Sequence, residues 1–287
     1  MTMDRKETRD FPPVIIEARR PFLALDGREL WRYRYLVRLF VRRNFTAVYK
    51  QSILGPLWHI ISPLLSTLVF TVVFGTIARI PTDGVPPVMF YLSGVVVWSL
   101  FSTTFMAVSQ CLLQNAHIFS KVYFPRLAVP LADSISKTIT FCVQFALFLA
   151  LYAWFLWQTP GLRPSPLLLA APLLLFQTLL LAFGLGLLVA TFTVKYRDLS
   201  YLLVFFMQLW MYATPVVYPL SQVPAQWRFL MYLNPMTPVV EGVRSGFFGS
   251  GDSAGLVLWP GILMTVVLAA AGVMAFNRAE RTFVDTI

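Results

Sequence analysis

Six stretches of this chain stay apolar for about twenty residues at a time, and that length leaves few folds open. A hydrocarbon core of about 30 Å is crossed by a helix of about 20 residues, and inside it backbone amides find no water. Each run must therefore close its own hydrogen bonds as a helix. The runs cover about 54–77, 88–113, 134–157, 167–194, 199–218 and 256–276. Hydrophobic residues make up 57% of the 287 and charged residues 13%, far from the balance of soluble domains. The sequence predicts an all-α integral membrane protein with six transmembrane helices. Pro63 is set to kink the first, and Pro215 and Pro219 break the fifth near its end. Gly184 and Gly186 let a neighbour approach the fourth.

The segments between the runs divide the chain. Residues 1–52 form a polar tail and an amphipathic helix, 53–276 the membrane domain, and 277–287 a short polar tail. The first fifty residues carry no early apolar core of the kind a signal peptide needs. Asp26 and Glu29 have the spacing of a capping box. Beyond them Leu30, Tyr33, Val37, Phe40 and Val41 share one helical face, while Arg28, Arg32, Arg38 and Arg42 lie largely elsewhere. That pattern suits a helix lying on an anionic leaflet, the alternative being a solvated helix packed on a partner. Between the second and third spans, residues 114–133 form a polar island with Lys121, Arg126 and Asp133 among Phe119, Tyr123 and Phe124. A short helix there should end near Phe124, because Pro125 comes next. The island reads either as a surface for another protein to push on or as a loop whose cations hold the topology. Residues 219–255 are neither span nor ordinary loop. Pro224, Pro235 and Pro238 bracket two apolar pieces, which fit two short helices re-entering the membrane edge.

The formal charge is +10, and its distribution argues against nucleic acid as a partner. Basic residues crowd before the first span, in the island and just beyond it at Lys137, at Lys195 and Arg197, and at Arg278 and Arg281, with only Arg79, Arg163, Arg228 and Arg244 elsewhere. The positive-inside rule then puts both termini in the cytoplasm. Cys111 and Cys142 show neither disulfide nor metal-ligand spacing, and no metal is expected. No Gly-Lys dipeptide occurs, so there is no P-loop, and intramembrane carboxylates of the kind ion-coupled carriers use are nearly missing. No residue is predicted to be catalytic, and active transport would need a separate source of energy. The spans instead carry rings: Phe70, Phe74, Trp98, Phe101, Phe105, Tyr201, Phe205, Phe206, Trp210 and Tyr212. They suit sliding contact with sugars; packing and interface belts are the plainer use.

Several short pieces in order carry a resemblance. They are Glu29-Leu30-Trp31 with Tyr33-Arg34, Tyr49-Lys50-Gln51-Ser52 with Leu54-Gly55-Pro56-Leu57-Trp58, and Lys121-Val122-Tyr123-Phe124-Pro125-Arg126. Further along stand Tyr196-Arg197-Asp198, Pro215-Val216 with Tyr218, Asn234-Pro235 and Glu241-Gly242 with Arg244. Against six spans, these resemble the membrane subunit of type-2 ABC exporters for polysaccharides, the O-antigen, capsule and teichoic acid group. The resemblance implies a homodimer in a bacterial cytoplasmic (inner) membrane, docked on two copies of a cytoplasmic ABC ATPase that holds the ATP and Mg. It implies a polysaccharide on undecaprenyl diphosphate as cargo. Asn115, His117, Phe119, Lys121, Tyr123 and Arg126 would then belong to a coupling helix facing the ATPase. Arg38, Arg42, Arg43 and Lys50 would meet the lipid diphosphate at the interface. Phe70, Phe74, Trp98, Phe101, Tyr201, Phe205, Trp210 and Tyr212 would line the channel, and Trp227, Glu241 and Arg244 would belong to a periplasmic gate. The chain departs from that family at Asn44, Thr46 and Val48, which are uncharged where charge is common. Competing readings are a permease for a drug or small lipid, an ion-coupled carrier or membrane-embedded enzyme, and a scaffold without transport.

Overall fold

A computed structural model describes residues 31–50, 53–119, 124–159, 163–196, 198–249 and 254–282, all helix, turn or connecting segment. Helix α1 (Arg34–Tyr49) is succeeded by a short 3₁₀ turn, Gly55–Leu57, leading into α2 (Trp58–Phe70). The chain then widens into a π-helical stretch, Thr71–Ile77. Next come α3 (Pro87–Gln114), the single turn α4 (Ala116–Phe119) and α5 (Ala128–Gln158). A 3₁₀ turn, Pro166–Ala170, leads into α6 (Ala171–Thr193), with α7 (Leu199–Tyr212) after it. Two short helices, α8 (Ala225–Leu233) and α9 (Thr237–Phe248), precede α10 (Ala254–Thr282).

Helix α3 is the axis of the bundle. It begins on Pro87, whose fixed φ and missing amide suit a first turn, and α2, α5, α6, α7 and α9 all pack against it. Met89, Tyr91, Leu92, Phe101 and Phe105 are consequently buried. Helix α6 packs on α3 with one side and on α10 with the other, and two glycines permit both contacts. A Cβ on Gly184 would collide with Cα of Ala269, and one on Gly186 would stand 2.7 Å from Cβ of Val108. Across the seam, a Cβ on Gly272 would collide with the carbonyl oxygen of Gly184. Lipid offers no hydrophobic drive for helices to associate, so such backbone-to-backbone packing is what holds them. Helix α9 ends on Gly249, whose φ of +66° and closeness to the Arg163 carbonyl leave no room for a side chain.

Among the described residues, five apolar helical segments are long enough to cross a membrane: Gly55–Ile77, Pro87–Gln114, Ala128–Gln158, Pro166–Thr193 and Leu258–Ala279. The third starts several residues before the position expected from the apolar run, because Leu127 and Ala128 are drawn into the core beneath α1. The run at 199–218 differs more. Its helix stops at Tyr212, so 14 residues span only about 21 Å, short of the roughly 30 Å hydrocarbon thickness.

Beyond Tyr212 the chain turns through a non-helical elbow at 213–219. Its Val216 lies against Gly94, well inside α3 rather than at its head. At such depth every carbonyl freed by the helix end needs a partner. The Leu209 carbonyl accepts from the Ala213 amide at 3.0 Å, and that of Met211 from the Thr214 amide at 3.2 Å. Thr214 Oγ1 donates to the Trp210 carbonyl at 2.9 Å, and Tyr218 Oη to that of Tyr212 at 3.0 Å. The last four carbonyls of α7 are thus all answered. Past the elbow, α8 and α9 form the pair of short helices expected from the proline spacing.

Candidate functional site

The expected site residues fall at three places. The first is a joint where α1, the end of α3 and the head of α5 meet. Val37 and Phe40 of α1 are buried with Phe124 and Leu127, so the apolar face of α1 packs on its own chain. Arg43 reaches from α1 to Asn115, whose Oδ1 accepts from Nη2 at 2.8 Å. Asn115 itself is buried and turns its amide back to the Cys111 carbonyl at 2.8 Å. The neighbouring Asn44 donates from Nδ2 to Asp133 Oδ1 at 2.7 Å, with Ser136 Oγ at 3.4 Å. Rings fill the rest. Phe40 and Phe119 stand 5.7 and 5.5 Å from Phe124, with Arg43 over Phe40 at 4.8 Å and Arg126 over Phe119 at 5.8 Å.

This geometry joins residues that the sequence assigned to separate tasks. Asn115 is a buried strut between the island and α1, while His117 is exposed on α4. Lys121 and Tyr123 lie outside the described residues. The four basic residues of α1 also divide. Arg42, Arg43 and Lys50 line an open groove of about 620 Å³ with Leu39, Thr46 and Ala47. Arg38 lies on the other flank, in a second groove of about 430 Å³ walled by Val41, Leu131 and Ile135.

The second place is the aromatic set along α2, α3 and α7. Phe101 is fully buried and Trp98 nearly so, and both receive Trp210, at centroid separations of 5.0 and 6.4 Å. These three rings fasten α7 to α3, and Phe101 has no face left to offer a passing molecule. Phe70 packs edge-on to Phe74 and Tyr91, half-buried between α2 and α3. Tyr201, Phe205 and Tyr212 are exposed on the outer face of α7.

The third place is the hairpin of α8 and α9. Trp227 is exposed, whereas Arg244 is 3% exposed. Its guanidinium lies 3.7 Å over the ring of Phe90 and donates to the carbonyls of Pro215 at 2.5 Å and Val216 at 2.6 Å. Glu241, one turn earlier, is 3.4 Å away. Burial pushes the Glu241 carboxyl above its ordinary range against the pull of Arg244. Burial also lowers the Arg244 guanidinium to about 10, still charged at neutral pH. Asn234 belongs to one of the resemblance motifs, yet the sequence alone gives it no task. It donates to Thr214 Oγ1 at 2.8 Å and to the Ala213 carbonyl at 3.3 Å, and accepts from Trp210 Nε1 at 3.1 Å. An asparagine before a proline between two apolar pieces was the available signal. Nearby, Ser221 Oγ donates to the Asp83 carboxylate at 2.9 Å, closing the loop before α3 onto the loop before α8.

Residues 35–248 match the family described as ABC-2 type transporter. A protein of Myxococcus xanthus, the O-antigen export system permease protein RfbA, is 27% identical over 257 residues, covering 88% of this chain and 96% of its own. The Klebsiella pneumoniae protein of the same name is 23% identical over 257 residues, covering 88% and 95%.

Proposed function

The chain belongs to the ABC-2 type transporter family, and from that premise we propose that it is the membrane permease of an ATP-driven polysaccharide exporter. The observation that carries the cargo is the near end-to-end likeness to two O-antigen export permeases. The exposed rings of α7 support it, because Tyr201, Phe205 and Tyr212 form an apolar face with hydroxyl handles, the chemistry that suits sugars. The cargo is a polysaccharide carried on undecaprenyl diphosphate, passed from cytoplasm to periplasm across the inner membrane. Two copies form the path, and each docks through α4 and the island, including Lys121 and Tyr123, on a cytoplasmic ABC ATPase that supplies ATP and Mg.

In this reading α1 lies along the cytoplasmic interface, where its cations meet anionic head groups. The groove of Arg42, Arg43 and Lys50 receives the lipid diphosphate. The α8–α9 hairpin caps the periplasmic side, and both termini are cytoplasmic.

The test is a gentle detergent purification from the native membrane, with mass spectrometry of what co-elutes. A stoichiometric P-loop ATPase, lost when Lys121, Tyr123 and Arg126 become alanine, supports the reading. Absence of any ATPase under conditions that keep other membrane complexes whole overturns it. In cells, changing Arg42 to glutamate should leave the ATPase bound while surface polysaccharide falls; unchanged export removes the groove from the path.

A further inference from the structure

The elbow at 213–219 has an unusual set of partners. Four consecutive residues present acceptors, and all four are met by side chains from the α8–α9 hairpin. Asn234 takes the Ala213 carbonyl and Thr214 Oγ1, while Arg244 takes the carbonyls of Pro215 and Val216. Arg244 also lies against the carbonyl of Phe90 at 3.4 Å and over its ring, so the same guanidinium reaches α3. Space for it is made by Gly94. A Cβ there would stand 2.8 Å from Nη2 of Arg244 and 2.9 Å from the Val216 carbonyl oxygen.

A buried guanidinium without a phosphate or carboxylate of close geometry is costly unless its donors are filled. Here Nη1 and Nη2 are filled, with Glu241 at 3.4 Å the distant partner and backbone oxygens the near ones, while the buried Nε has no hydrogen-bond partner. The charge is therefore used to hold chain, not to present itself to a solute. We infer that Arg244 is a positioning residue that clasps the broken end of α7 to α9 and α3, so that the hairpin and the elbow move as one body. A hairpin held this way does not swing on the elbow as a separate lid. Motion of α7 carries it. The inference rests on the exporter reading only where it concerns turnover, and the clasp itself is a property of the fold.

The experiment uses the full chain in lipid nanodiscs, which leave both faces open. Cys111 is replaced by alanine, Cys142 by serine, and the buried Val217 by cysteine. The rate of reaction with a charged maleimide is read. A companion protein that keeps the buried Cys111 and has no cysteine at 217 reports folding, since that thiol stays unlabelled as long as the bundle is formed. Arg244→Lys keeps the charge but cannot fill several carbonyls at once. Gly94→Ala keeps Arg244 but crowds its Nη2 and the Val216 carbonyl together, pressing on the clasp from the α3 side. With the companion unchanged, either variant should raise labelling at position 217 about tenfold, the population change expected from losing a charge-assisted hydrogen bond. Where Arg244→Lys fails the folding control, Arg244→Gln takes its place.

Labelling that stays at the parent rate in the folded variants overturns the clasp. In the ATPase-bound complex, the protein with native Arg244 and Gly94 should label at the same slow rate with and without ATP turnover. A rise on turnover to the rate of the variants shows an elbow that opens, and overturns the single moving body. Failure to recover an ATPase counts against the exporter reading alone and leaves the first measurement intact.

Discussion

Asn44 and Arg43 are adjacent on α1 yet tie it to two different helices, Asn44 through Asp133 and Arg43 through Asn115. An acid in place of Asn44 would face a carboxylate at the distance of a hydrogen bond. Asn44→Asp should therefore lower stability by about 1–3 kcal/mol, read as a fall in Tm in detergent, and adding Asp133→Asn should restore most of it. Arg43→Ala should lower Tm in the same way because it strips the buried Asn115 of its donor. Arg42→Ala, on the exposed wall of the groove, should shift stability by less than about 0.5 kcal/mol. The basic run of α1 was legible from sequence, since charge and helical phase are local. The division of labour within it was not, because Asn115 lies 72 positions from Arg43 and nothing in the run points to it. Phe101 shows the converse. An aromatic in a span reads alike whether it faces a channel or a core, and only the neighbouring Trp210 decides.

At the scale of elements, the order of helices came from apolar length and proline position, and the two short helices after Tyr218 were visible in Pro224, Pro235 and Pro238. The end of α7 was not. Residues 213–218 remain apolar enough to prolong a span, and the side chains that capture their carbonyls come from residues 234 and 244. Asn234→Ala removes two donated bonds and the acceptor for Trp210. It should cost about 1–3 kcal/mol, seen as earlier thermal unfolding of the purified chain. The seam of α6 and α10 is stiffer. A side chain at Gly272 must displace the backbone of Gly184, so Gly272→Val should cost about 3 kcal/mol or more and reduce monodisperse protein on size exclusion. Gly75, whose Cβ would meet nothing nearer than 3.5 Å, should accept alanine with unchanged elution.

For the whole molecule, burial is lopsided. The first span is largely uncovered, whereas α3 is buried along most of its length, and α7 leaves Tyr201, Phe205 and Leu209 exposed. If these faces meet a second copy, cysteine at Leu209 should give an oxidant-dependent dimer band on gels, while cysteine at Leu173, exposed on α6, should not. A dimer band of equal strength from both positions would count against that arrangement. The shortness of α7 then sets a physical quantity that a row of full-length helices would not. Helix α3 is about 42 Å long, enough to cross the roughly 30 Å hydrocarbon, but α7 is about 21 Å long and ends in an elbow lined with carbonyls and amides. The energy of carrying a hydrated chain through a slab rises with the thickness of the slab. If two copies meet there, a seam of two such half-length helices would be the thinnest insulation they offer, and a polar polymer crossing it would shed its water over the shortest distance.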